Sequence, residues 1–227
     1  GGYIGVDIFF VISGYLITFI ILNELKKKSK FNFLNFYDKR IRRIIPALLI
    51  VMIVSFPFAW LYLLPGAFIE YSKSILYSLG FSSNFFFLYS GQLYGADSSL
   101  LKPFLHTWSL SVEEQFYILF PIFLLIVTKF FRKYLLILLG IALLSSILFS
   151  QFSHQNPDSF KIFSRTFVLL DFNFYQIFSR GFELLLGSLL SYFELSNGGR
   201  VGKSNKVFNQ IFPKFGISLI IFSIFFF

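Results

Sequence analysis

The sequence predicts an all-α fold, a polytopic transmembrane helix bundle of about five full spans, one truncated span and one re-entrant or interfacial segment. Three observations lead there. Hydrophobic residues fill 56% of the 227 positions and charged residues only 14%, against about 25% charged in a soluble domain. Apolar runs of roughly 20 residues, the length of one crossing, recur along the chain. The 20 Lys and Arg gather in short stretches between those runs, at Lys26–Arg43, Lys129–Lys133 and Arg200–Lys214, which is the positive-inside pattern. That clustering accounts for the net charge of +9 as topology and lipid contact, with no nucleic acid as partner. The absence of cysteine excludes disulfides, a thiolate nucleophile and a thiolate metal site.

Taken in order, the spans read as 6–23, 44–64, 108–128, 134–150 and 175–194, with a truncated sixth from about 216. Segment 72–90 is less apolar, holding Ser72, Ser74, Ser78, Gly80, Ser82, Ser83 and Asn84. If it crosses, the later basic clusters fall opposite Lys26–Arg43. If it does not, all three share the cytosolic side. The second arrangement is expected, with 72–90 covered by protein or lying at the interface. It puts Gly1–Gly5, Gly91–Thr107 and Gln151–Phe174 outside, and Glu24–Arg43, Lys129–Lys133 and Leu195–Phe215 in the cytosol. No soluble domain and no internal repeat are expected. The start at Gly-Gly-Tyr without Met and the short apolar end Ile217–Phe227 read as cut ends of a longer chain. The loop Asn197–Asn205 reads as a polar connector, because its Gly198–Gly202 spacing does not match a phosphate loop.

Four groups of residues can carry chemistry. Asp7, Val11, Gly14 and Thr18 recur at helical spacing, so they share one stripe. That stripe reads equally as a polar seam and as interfacial solvation of Asp7 above close packing at Gly14. Arg40 and Arg43, three apart, share a face if helical, with Pro46 in the first turn of the following helix. They read first as positive-inside anchors, though two guanidiniums can also grip a phosphate or pyrophosphate. In Phe104–Pro121, Ser111 and Glu114 form a capping box, which leaves Glu113 without a structural role. His106 and Trp108 are expected just outside that helix, Trp108 as an interfacial anchor and His106 as a proton carrier or a plain loop residue. In 175–194, Arg180 and Glu183 can neutralise each other at depth, as a substrate-handling or a structural pair. His154 reads as loop. No metal-ligand spacing and no nucleophile elbow appears, so neither a metal nor a resident cofactor is expected.

Three motifs occur together: Gly5-Val-Asp-Ile-Phe-Phe-Val-Ile-Ser-Gly-Tyr-Leu-Ile-Thr18, the Arg-x-x-Arg of Tyr37–Pro46, and Leu105-His-Thr-Trp-Ser-Leu-Ser-Val-Glu-Glu-Gln-Phe-Tyr117. In order and spacing they resemble the membrane acyltransferase-3 family of bacterial O-antigen and peptidoglycan O-acetylases. Arg180-Gly-Phe-Glu-Leu-Leu-Leu-Gly187 is similar to a later family motif. The resemblance covers 1–227 as a partial transmembrane domain. It implies a multi-pass protein of the bacterial plasma membrane that moves an acyl group, usually acetyl, from cytosolic acyl-CoA to a hydroxyl of an envelope polysaccharide or glycolipid. It implies donor contact by Arg40 and Arg43 and an essential acid at Glu113, and it matches Asp7 and Gly14 to a helix signature. It also implies an essential His on a helix before Gly1, so the fragment alone is expected to be inactive. The working assignment is catalytic for Glu113, His106 and Asp7. The rival readings are a glycan transporter or channel, and a structural partner subunit.

Overall fold

The structure, a computed structural model, describes residues 2–28, 30–91, 102–156, 159–162, 165–196 and 214–223. It is all-α: α1 Gly2–Lys28, α2 Phe33–Tyr62, α3 Pro65–Leu79, α4 Ser83–Gly91, α5 Thr107–Phe130, α6 Leu135–Gln155, α7 Leu169–Tyr175 and α8 Ile177–Ser196, followed by α9 Lys214–Ser223. One antiparallel hairpin, β1 Ser159–Ile162 with β2 Arg165–Val168, interrupts the helices. The loop expected at Asn197–Asn205 and most of that expected at Gly91–Thr107 lie outside the described residues.

Among the described residues, four helices are long and apolar enough to cross a membrane: Ile4–Lys28, Phe33–Tyr62, Thr107–Phe130 and Arg132–Gln155. The expected fifth, α8, has the length at 20 residues but carries Arg180, Glu183 and Glu194. The expected truncated sixth is the short apolar helix α9. Residues such as Leu61 at 72%, Ile53 at 69% and Leu148 at 68% exposure present large apolar side chains outward, as a lipid-facing surface requires.

The chain divides into two compact units, Gly1–Ser29 with Tyr117–Ser150 and Phe178–Phe227, and Lys30–Phe116 with Gln151–Ile177. In the first, α1 buries Phe10, Ser13, Ile17, Thr18 and Ile21, the three-and-four spacing of one helical face. That face meets α8, which buries Gly181, Glu183, Leu184, Gly187, Ser188 and Ser191. The two helices run parallel, since Asp7 pairs with Arg180, Gly14 O accepts from Ser188, and Tyr15 donates to Glu194. Glycine makes this closeness possible. A Cβ on Gly14 would stand 1.8 Å from Leu184 O, and one on Gly187 1.9 Å from Val11 O.

In the second unit, α3 turns back along α2. Phe68 packs edge-on to Phe56 and Trp60, and Ser55 hydrogen-bonds Tyr71 at 2.8 Å. The chain then reverses at 80–82, where Phe81 takes the left-handed conformation at φ 49°, and α4 folds back so that Phe86 stacks on Tyr77 at 4.9 Å. Segment 72–90 is therefore a helical hairpin.

Two expectations are corrected here. The helix expected from 44 begins at Phe33, behind an Asn32 cap whose side chain accepts from Asn35 N. Pro46 and Pro57 are thus interior, as membrane helices tolerate when neighbours re-satisfy the backbone. The helix expected from 108 begins at Thr107, so Ser111 and Glu114 form no capping box. Ser111 Oγ instead accepts from Ser83 N at 3.1 Å.

Candidate functional site

Two buried ion clusters stand out, one in each unit. The first is built by α2 and α5. Arg40 Nη2 donates to Glu113 Oε1 at 3.0 Å and Arg40 Nε to Glu114 Oε1 at 3.4 Å. The side chains of Glu113 and Glu114 are only 3% and 10% exposed, and that of Arg40 17%. Two adjacent acids in an apolar helix need a cation, because a buried charge left unpaired costs several kcal/mol, about 3–5 when one partner of a pair is removed. Arg40 serves both acids, and Glu114, expected to act as a cap, shares in this cluster.

Arg40, expected in the cytosol, thus meets the acids of a helix whose leading loop, Gly91–Thr107, is expected outside. Arg40 and Glu113 belong to one cluster. Arg40 and Arg43 do not present a paired clamp. Arg43 is exposed and takes part in no ion pair among the described residues, while Arg40 turns inward onto the acids.

A ladder of neutral hydrogen bonds holds the head of α5 against the α3–α4 hairpin. Ser78 meets Thr107 at 2.7 Å and Ser83 meets Ser111 at 2.7 Å. Gln115 Nε2 donates to Asn84 Oδ1 at 2.9 Å and to Phe81 O at 3.1 Å, while Asn84 Nδ2 donates to Tyr175 O at 3.1 Å. Ser83, Asn84, Thr107 and Ser111 are buried, and each bond satisfies a group that is costly to leave unmade. Sequence reasoning read the polar residues of 72–90 as weak hydropathy. Their spacing, set against the Ser and Thr of 107–111, was the available signal.

Trp108, expected at the interface outside the helix, lies inside α5, 6% exposed. Its ring packs on Phe174 at 4.8 Å and on Tyr175 at 5.8 Å. His106 sits in the turn before α5, exposed, its ring 5.9 Å from that of Phe104.

The second cluster joins α1 to α8. Arg180 Nη1 donates to Glu183 Oε1 at 2.8 Å and to Asp7 Oδ1 at 3.1 Å. The expected Arg180–Glu183 pair is thus a triad, with Asp7 at its open edge, 44% exposed, and Glu183 at its closed end, 5% exposed. Glu183 Oε2 has no hydrogen-bond partner among the described residues. Among those residues, no group of three His, Cys, Asp or Glu is placed to hold a metal ion.

Comparison with known proteins adds to this geometry. The family described as Acyltransferase domain matches residues 1–227. A Listeria monocytogenes protein named peptidoglycan O-acetyltransferase OatA is 33% identical over 195 residues, 85% of this chain and 29% of that protein. An uncharacterised Haemophilus influenzae protein is 39% identical over 200 residues, 87% of this chain and 78% of its own length. The O-acetyltransferase OatA of Staphylococcus aureus is 37% identical over 122 residues, 54% of this chain and 20% of that protein. The chain therefore spans less than a third of the two OatA proteins it resembles. No solved structure matches.

Proposed function

The chain belongs to the acyltransferase-3 family, and from that premise we propose that it is the membrane part of an O-acyltransferase. It moves an acetyl group from acyl-CoA to a hydroxyl of an extracytoplasmic envelope glycan, in the bacterial plasma membrane. The names of its relatives support acetyl as the group and peptidoglycan as a representative acceptor. The observation that carries the reading is the buried Arg40–Glu113–Glu114 cluster. It joins two of the motifs on which the family resemblance rests.

Acyl transfer needs a base to take the hydroxyl proton and oriented donors to stabilise the oxyanion. Glu113 and Glu114 restrain one guanidinium between them, so Arg40 is held in a fixed orientation with both acids within reach. Two carboxylates against one cation leave the cluster rich in acceptor oxygens, which suits a path for the proton that the acceptor loses. Arg43, exposed and in no ion pair among the described residues, is the guanidinium available for donor phosphates, which Arg binds in bidentate fashion. Asp7 and His106, the other candidate groups, are assigned no step in donor binding.

The test is mass spectrometry of surface glycans from cells carrying the full-length protein or its variants. Arg43→Ala is expected to raise the KM for acyl-CoA about tenfold or more, with insertion unchanged. Arg40→Ala with Arg43→Ala is expected to abolish glycan acetylation. Normal acetylation in the double variant would refute the donor role. Glycan movement across proteoliposomes with no acetyl transfer would favour a transporter instead.

A further inference from the structure

The start of α2 carries charge that the Arg40 cluster leaves unused. The helix is 30 residues long, about 45 Å at 1.5 Å per residue, against a hydrocarbon core about 30 Å thick. Ile44–Tyr62 contains no Lys, Arg, Asp or Glu and by itself accounts for about 28 Å. The stretch Lys30–Arg43 therefore lies past the hydrocarbon edge, in the headgroup layer or in water. Its charges agree. The side chains of Arg42 and Asp38 are 79% and 56% exposed, which hydrocarbon does not tolerate.

That stretch has three faces. Phe36 and Arg40, four apart, turn inward, Phe36 buried and Arg40 onto Glu113 and Glu114. Asn35, Lys39, Arg42 and Pro46 recur at four, three and four, all exposed, so they make one stripe. Leu34 and Ile41, seven apart and on a further face, are 84% and 55% exposed. Phe31 braces the entry, its ring 5.2 Å from that of Phe33 and 5.5 Å from that of Phe36. Asp38 is the one acid of Lys30–Arg43. It accepts from Arg42 Nε at 2.9 Å, an exposed pair of the kind that contributes little. Lys30, Lys39 and Arg42 thus stand exposed beside two large apolar side chains. A soluble phosphate would gain from the cations and nothing from Leu34 and Ile41. A phospholipid meets both, its phosphate against the cations and its acyl chains against the apolar face. The positive-inside pattern turns this end of α2 to the cytosol, where the leaflet is the anionic one.

We propose that Lys30, Lys39 and Arg42 form a binding face for anionic phospholipid headgroups, with Leu34 and Ile41 seated among the first acyl carbons. Arg43 borders this face and keeps its donor role. The binding goes beyond acyl transfer and stands without it. Lipid held there fixes the depth of the first turns of α2, from which Arg40 reaches its two acids.

The test is electron spin resonance of the full-length protein in phosphatidylcholine vesicles, with spin-labelled phosphatidylglycerol or spin-labelled phosphatidylcholine as the probe. Wild-type protein is expected to select phosphatidylglycerol, and high salt to weaken that selection. The combined Lys30→Gln, Lys39→Gln and Arg42→Gln variant is expected to lose about fivefold or more of it, the equivalent of about 1 kcal/mol, which is the effect of one basic residue near an anionic surface. No selection by the wild type, or equal selection by the variant, overturns the face. A variant that keeps its selection while its acetyl-CoA KM rises about tenfold also overturns it, and gives these cations to the donor. Should the triple variant not reconstitute, Asp38→Asn replaces it. Removing the one acid is expected to strengthen the selection, and unchanged selection overturns the proposal.

Discussion

At the residue scale, the two glycines of the α1–α8 contact make sharp claims. A Cβ at Gly14 or Gly187 meets main-chain atoms of the other helix at under 2 Å, whereas one at Gly181 finds only Ser146 Oγ at 3.5 Å. Main chain cannot rotate aside as a side-chain tip can. Gly14→Ala and Gly187→Ala are therefore expected to destabilise by at least the roughly 1–3 kcal/mol typical of overpacking, while Gly181→Ala stays near neutral. Thermal unfolding in detergent, with all three variants side by side, checks this. Arg40 makes a second claim. Arg40→Ala strands two buried acids and is expected to lower stability by about 3–5 kcal/mol. Adding Glu113→Gln and Glu114→Gln should recover most of that loss. The sequence showed the acids and the arginines separately. It did not show that they meet, because the partners lie 73 and 74 residues apart and no periodicity spans that distance.

At the scale of elements, the α3–α4 hairpin combines apolar burial of Tyr71, Phe86, Phe87 and Leu88 with a hydrogen-bond ladder to α5. Asn84 and Gln115 exchange hydrogen bonds, and each also holds a backbone carbonyl, of Tyr175 and Phe81 respectively. Asn84→Ala and Gln115→Ala are each expected to cost about 1–3 kcal/mol. Combined, they should cost less than the sum, since they share partners. Faster hydrogen exchange through 83–91 would report the same loosening. Long apolar stretches were legible from composition, and the hairpin was legible as an irregularity at 72–90. Helix starts were not. Pro46 resembled an N-terminal proline, yet Asn32 supplied the cap fourteen residues earlier. Ser111 and Glu114 had capping-box spacing, yet Ser111 bonds Ser83. In both cases a contact from elsewhere in the chain overrode a local signal.

At the scale of the whole molecule, direction is the testable property. Parallel α1 and α8 require their C-terminal ends to emerge on the same side of the membrane. Lys28→Cys and Ser196→Cys, both at exposed positions, are expected to react with an impermeant thiol reagent from the same face, and Tyr62→Cys, at the far end of α2, from the opposite one. Labelling of Lys28→Cys and Ser196→Cys from opposite faces would contradict the parallel pairing. The clustered Lys and Arg placed the ends of α1 and α8 on one side in the sequence, and this labelling tests that placement.

The separation between Asp7 and Arg180, 173 residues along the chain, has a consequence for biogenesis. A ribosome adding about 5–20 residues per second delivers Arg180 roughly 9–35 seconds after Asp7. Throughout that interval α1 holds an acid whose eventual counter-ion has not been synthesised. The nascent helix must wait beside the insertion machinery or with its head in the aqueous layer. Its final seat becomes available only when α8 arrives.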